Sequence, residues 1–159
     1  MISKKLVALA ALALIAATAT ALALTGSFVV ILQLRPAEPV NWSGASNEVV
    51  IDIAPAQTYN MNKYLGQIRQ RSDKVKYCIS VEGLSEYKLT LRLFSVYSIE
   101  GEAYTTATPM GSTCAVITKK DIRMNEIPID ITLQGWVKAP KDLKEPIKVT
   151  ITITAEPLE

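Results

Sequence analysis

The side chains of this 159-residue chain that could do chemistry are two cysteines, one Asn-Trp-Ser triplet and a few acidic residues. Cys78 and Cys114 are the only cysteines. In an exported chain such an even pair reads as a disulfide, closing a loop of about 37 residues. In a reducing compartment the same two residues read as buried free thiols. They do not form a C-x-x-C motif, so a redox couple is not expected. Asn41-Trp42-Ser43 has the form of an N-glycosylation acceptor in a Pro-rich segment. Its plainer reading is an ordinary loop in which Trp42 covers a core edge.

Asp121, Glu126 and Asp130 are the nearest thing to a carboxylate cluster. Gathered together they could make a glycosidase pair or a calcium site. They flank or lie on an alternating segment, so a solvated sheet face is expected instead. Histidine is absent, which removes Ser-His-Asp and Cys-His nucleophiles, a histidine general base and every His-ligated metal. There is no Walker loop, G-x-G-x-x-G, EF-hand loop or G-x-S-x-G. The expectation is a protein that is not an enzyme and has no catalytic residue, no cofactor and no metal.

The basic residues Lys63, Arg69, Arg71, Lys74 and Lys76 have only Tyr59 and Tyr64 beside them, too few aromatics for a stacking platform. Nucleic acid is therefore not an expected partner. The charge balance agrees. Of 17 Lys and Arg, two precede the apolar leader, and the other 15 offset 15 Asp and Glu.

These groups are positioned by a chain with two textures. From Leu6 to Leu34 no residue is charged; Lys4 and Lys5 precede the run and Arg35 closes it. As one helix it would be about 44 Å long, more than the ~30 Å of a hydrocarbon core needs. Composition divides it. Leu6–Leu24 is almost entirely Ala and Leu, good helix formers, so residues 1–24 read as a signal peptide or a single transmembrane helix. Ala21-Leu22-Ala23 fits the cleavage pattern, and a retained helix would anchor the chain in the membrane. In both cases the lysines keep the N-terminus cytoplasmic and the remainder lies outside the cell or on its surface.

Residues 25–35 read as an apolar N-terminal strand, with Phe28, Val30, Leu32 and Leu34 on one face and Val29, Ile31 and Gln33 on the other. Residues 36–47, rich in Pro, Ser and Asn, read as a linker or loop. Residues 48–159 read as an extracellular β-sandwich domain. Period-two alternation marks strands at Glu48–Ala54, Lys74–Glu82, Tyr87–Tyr97, Cys114–Thr118, Ile127–Val137 and Pro146–Ala155. The fold class expected is all-β, an antiparallel sandwich of Ig-like or jelly-roll-like kind behind an N-terminal hydrophobic helix. One short helix is expected after Asn60, because Met61, Tyr64, Leu65 and Ile68 fall at helical spacing. Thr150, Thr152 and Thr154 present a flat, uncharged face, either to solvent or to another subunit's sheet.

A lysine-containing n-region, an Ala/Leu leader, a glycine, an apolar strand and a neutral β-sandwich together resemble the TasA-like secreted filament subunits, including archaeal bundling pilins. Leu24–Leu34 (LTGSFVVILQL) stands where that family has its post-cleavage N-terminal strand. The resemblance implies a structural filament subunit whose N-terminal strand completes the sheet of the next copy. With both faces apolar, the strand itself is expected to be either central in its own sandwich or inserted into a neighbour's; if inserted, a charge at Val30 or Leu32, or loss of Phe28–Leu34, would leave a folded domain that cannot polymerise. Archaeal type IV pilins have a related layout, but Lys5-Leu6 lacks the small residues of their processing site. The monotopic archaellum stator proteins also pair one helix with a β-sandwich. That likeness implies the alternative, a membrane-anchored sandwich that binds a surface-layer, envelope, archaellum or pilus partner.

Overall fold

The structure, a computed structural model, describes residues 26–35, 40–145 and 147–159. The expected leader, residues 1–24, lies outside them. The described residues form strands joined by turns, with no helix among them. The strands are β1 (Gly26–Arg35), β2 (Val40–Asn41), β3 (Glu48–Ile53), β4 (Thr58–Gln70), β5 (Lys74–Glu82), β6 (Tyr87–Phe94), β7 (Glu102–Thr108), β8 (Gly111–Ser112), β9 (Cys114–Thr118), β10 (Ile127–Lys138) and β11 (Lys148–Pro157). One sheet runs β3-β1-β11-β5-β9 and the other β2-β4-β10-β6-β7-β8. All pairings are antiparallel except β1 with β11, which run parallel and so bring the two ends of the domain together. The first sheet is thus mixed, a correction to the purely antiparallel sandwich expected.

Alternation builds the core. Val75, Tyr77 and Ile79 of β5, Leu89, Leu91 and Leu93 of β6, Ile127, Ile129, Ile131 and Leu133 of β10, and Val149, Ile151 and Ile153 of β11 are all buried. Each such side chain contributes about 1.5–3 kcal/mol when taken fully out of water. The two inner faces of apolar side chains pack against each other, as in other sandwiches.

Where a helix was expected after Asn60, the chain forms strand β4, paired with β10 over its whole length. The cause is a β-bulge. Tyr64 pairs with Thr132 and Gly66 with Ile131, so Leu65 is the extra residue. Insertion of one residue resets the alternation, and the buried positions become Met61, Leu65 and Ile68. Their spacing of four and then three imitates a helical face. Tyr64, which a helix would have buried, is 58% exposed. Gly66 sits at φ 124°, where a Cβ would collide with the Gly44 carbonyl, so this position needs glycine.

The expected linker is also partly structured. Residues 36–39 lie outside the described ones. Val40 and Asn41 pair with Gln70 and Arg69, and Val40 and Trp42 are buried. Ala45 bridges to Gly66.

The strand edges are treated unequally. Beside β9, the segment from Ser95 to Gly101 is bound by Ile99 N–H to the Thr118 carbonyl (2.9 Å) and Lys120 N–H to the Tyr97 carbonyl (2.9 Å). On the opposite side, among the described residues, β3 pairs with nothing but β1. Its alternate residues Glu48, Val50 and Asp52 are exposed, and the two carboxylates discourage edge-to-edge association.

Candidate assembly site around the N-terminal strand

Strand β1 is central in its sheet, flanked by β3 and β11. Its apolar character on both faces follows from that position. Val30 and Leu32 are fully within the core, and Leu34 packs at its margin. Val29 and Ile31 are half-buried on the outer face, and Gln33 is exposed. The backbone of Phe28 pairs with Ile51; its side chain is outside the described ones. Val29 to Arg35 pair in register with Lys148 to Thr154. Further bonds run from the Val29 N–H to the Ile147 carbonyl (2.9 Å) and from the Leu32 N–H to the Asn47 carbonyl (3.1 Å).

Among the described residues, β1 is the only strand joining β3 to the rest of its sheet. Without it, β3 and β11 would be separated by two strand spacings, about 9.6 Å, with unpaired backbone on both sides. The slot accepts one strand, apolar on the inward side, running parallel to β11. At the C-terminal end of β1 an open cavity of about 510 Å³ is lined by Leu32, Leu34, Trp42, Ala45 and Asn47 among others. Trp42 meets Tyr77 edge to face at 6.4 Å, and its indole N–H is buried without a partner among the described residues. Beneath it the Tyr77 hydroxyl donates to Gln70 Oε1 (3.0 Å), and Gln70 Nε2 donates to the carbonyls of Ile117 and Ser72 (3.0 Å each). Burial holds the Tyr77 phenol far above its usual pKa.

The other residues singled out from sequence are dispersed. Cys78 of β5 and Cys114 of β9 are register partners on the outer face of the first sheet, 4.4 Å apart at Cα and joined as a disulfide. Asn41 is half-buried on β2 and its Oδ1 accepts the Ser43 N–H (3.0 Å). The three carboxylates do not converge. Asp121 pairs with Arg123 (3.0 Å), which holds its carboxyl below the usual range. Glu126 faces Arg71 (3.6 Å), and Asp130 Oδ1 accepts from the Tyr64 hydroxyl (2.8 Å) and Gln67 Nε2 (3.2 Å). Among the described residues no three Cys, Asp or Glu side chains gather as metal ligands would. The basic residues are scattered too; Lys76, for example, pairs with Glu156 at 2.6 Å. Thr150, Thr152 and Thr154 are half-buried between β1 and β5.

No protein-family model matches the chain, and no curated protein matches it in sequence. The functional reading therefore rests on the residues themselves.

One residue that sequence reading missed stands out. Lys119 is 4% exposed and donates from Nζ to the carbonyls of Arg71 (2.8 Å) and Met124 (2.9 Å), with Asp73 Oδ1 at 3.0 Å. It ties the end of β9 to two turns. Nothing local distinguishes it from neighbouring Lys120, because its partners come from positions 48 residues earlier and five later. Lys119→Met should keep the aliphatic stem but leave the two carbonyls unpaired. The expected loss is about 2–3 kcal/mol, read as a lower urea midpoint, with Lys120→Met nearly unchanged. Equal midpoints for both variants would show that the buried ammonium holds nothing.

Proposed function

We propose that the protein is an exported structural subunit of a cell-surface filament, in which β1 of one copy fills the β3–β11 slot of the next. The observation that supports this reading is that, among the described residues, β1 is the strand that links β3 to β11, and in sequence it follows the apolar leader. Once the leader is cleaved, the strand lies at a free chain end and can leave its slot without unthreading any connection. The exchanged strand would recover the same register it makes within one chain. Because the contact is head-to-tail rather than self-complementary, exchange propagates as an open chain of subunits.

Cross-linking tests this directly. Gln33 and Thr152 are register partners on the outer face of β1 and β11. Gln33→Cys with Thr152→Cys places two thiols on neighbouring strands, at a separation a disulfide can span. In assembled material, strand exchange gives a ladder of covalent multimers on a non-reducing gel, collapsing on reduction. Bonding only within single chains would instead support the alternative, an anchored β-sandwich that binds an envelope or surface-layer partner with β1 kept in its own sheet. Intact Met1 in the mature protein would point the same way.

A further inference from the structure

We infer that Asn41 is a covalent modification site, the acceptor of an N-linked oligosaccharide. The inference rests on export alone, which the filament subunit and the anchored domain share. Asn41 stands on β2, outside the β3–β11 slot, so a glycan there and an exchanged β1 are compatible.

Of the five asparagines, Asn41 alone has Ser or Thr two positions on. A three-residue match carries no information about access; the fold supplies it. Strand β2 stands at the end of its sheet and pairs with β4 alone among the described residues. Val40 and Trp42 both face the core, 3% and 7% exposed, so Asn41 between them faces outward. It is half-buried, and Ser43, Gly44, Ser46, Asn47 and Glu48 after it are exposed. A bulky substituent on Asn41 thus departs over a sheet edge and a solvated loop, not between two strands.

The local geometry leaves free the two groups that the modification needs. The Ser43 N–H donates to Asn41 Oδ1 (3.0 Å), which makes an Asx turn. That bond fixes the carboxamide, because an N–H can be met by its oxygen and not by its nitrogen. Nδ2 then lies on the other side of the carboxamide from the Ser43 N–H, and it donates to no group among the described residues. The Ser43 side chain is exposed beside it. The turn is closed by Oδ1 and a backbone N–H, so it consumes neither the nucleophile, Nδ2, nor the hydroxyl by which such acceptors are recognised.

The donor follows from the bond that must form. An amide nitrogen is a weak nucleophile, so the sugar must arrive with a good leaving group: an oligosaccharide joined through its anomeric carbon to a lipid phosphate. The bond from Nδ2 to the anomeric carbon forms as the bond from that carbon to the phosphate oxygen breaks. The lipid phosphate leaves with the electron pair, and one Nδ2 proton passes to a base of the membrane transferase. The product carries a bulky, solubilising group at the edge of β2, where it hinders unwanted strand pairing.

Mass spectrometry of the chain recovered from outside the cell tests the inference. The proteolytic peptide spanning residue 41 is expected to exceed its sequence mass by a whole number of sugar residues, and to release sugar ions on fragmentation. Asn41→Gln and Ser43→Ala should each return it to the sequence mass. Ser43→Ala is the sharper of the two, because the backbone N–H that closes the turn remains. Ser43→Thr should keep the added mass, and so should Asn47→Gln. Unmodified Asn41 in chain recovered from outside the cell would overturn the inference and leave export standing. Added mass that survives Asn41→Gln or Ser43→Ala would overturn it as well. A chain found only in the cytosol, unmodified, would overturn export and this inference together.

Discussion

Leu32→Asp is expected to unfold the isolated domain rather than merely block its assembly. Leu32 is 2% exposed on β1, opposite Ile151 of β11 and facing the apolar interior between the sheets. The substitution removes about 2–3 kcal/mol of apolar burial. It also strands a carboxylate in the core without a cation or donor, at a further cost of several kcal/mol. Together these consume most of the ~5–15 kcal/mol by which a domain is stable. Leu32→Ala, which leaves only a cavity, should cost about 2–5 kcal/mol. Gln33→Asp, one residue along but exposed, should cost no more than about 0.5 kcal/mol. Urea denaturation followed by tryptophan fluorescence separates the three. From sequence alone, a charge at Val30 or Leu32 was expected to leave a folded, unpolymerised domain. The structure puts both side chains in the chain's own core, so the isolated domain itself is at risk. Wild-type stability in Leu32→Asp would mean that β1 is loose in the single chain and finds its sheet only in a neighbour.

What was legible in the sequence follows from the range of the signals. β5, β6, β10 and β11 alternate so regularly that strand, face and core residues can all be read locally. β7 escaped because its inward positions are Ala103, Thr105 and Ala107, too small or polar to register as an apolar period. β4 was misread because one bulged residue, Leu65, converts a period of two into an apparent helical spacing. Sheet order has no local signature: the parallel β1–β11 pair joins segments more than a hundred residues apart. The same holds for the candidate sites. The apolar β1 and the Asn41-Trp42-Ser43 triplet were each visible in one stretch of sequence, whereas the sheet edge on which Asn41 stands arises only through strand register.

Replacing both Cys78 and Cys114 by Ala should lower stability by about 4 kcal/mol without changing the fold. The two residues are 36 apart in sequence, and their bond forbids the unfolded chain most of the separations that loop would otherwise explore. Little in the folded state depends on the bond. β9 is also held by its backbone ladder to β5, and the inward residues Ala115 and Ile117 are buried with or without it. The loss should therefore appear as a drop in Tm of about 12 °C, with an unchanged circular dichroism spectrum. The urea m-value should rise, because the reduced chain exposes more surface on unfolding. Reduction of the wild type should reproduce the double variant, and Cys78→Ala alone should match it, since a single thiol closes no loop. In the untreated native protein both thiols should resist alkylation. Rapid labelling of both would remove the cross-link, and a Tm drop of only a degree or two would show that β9 pairing already restrains the unfolded ensemble as much as the bond does.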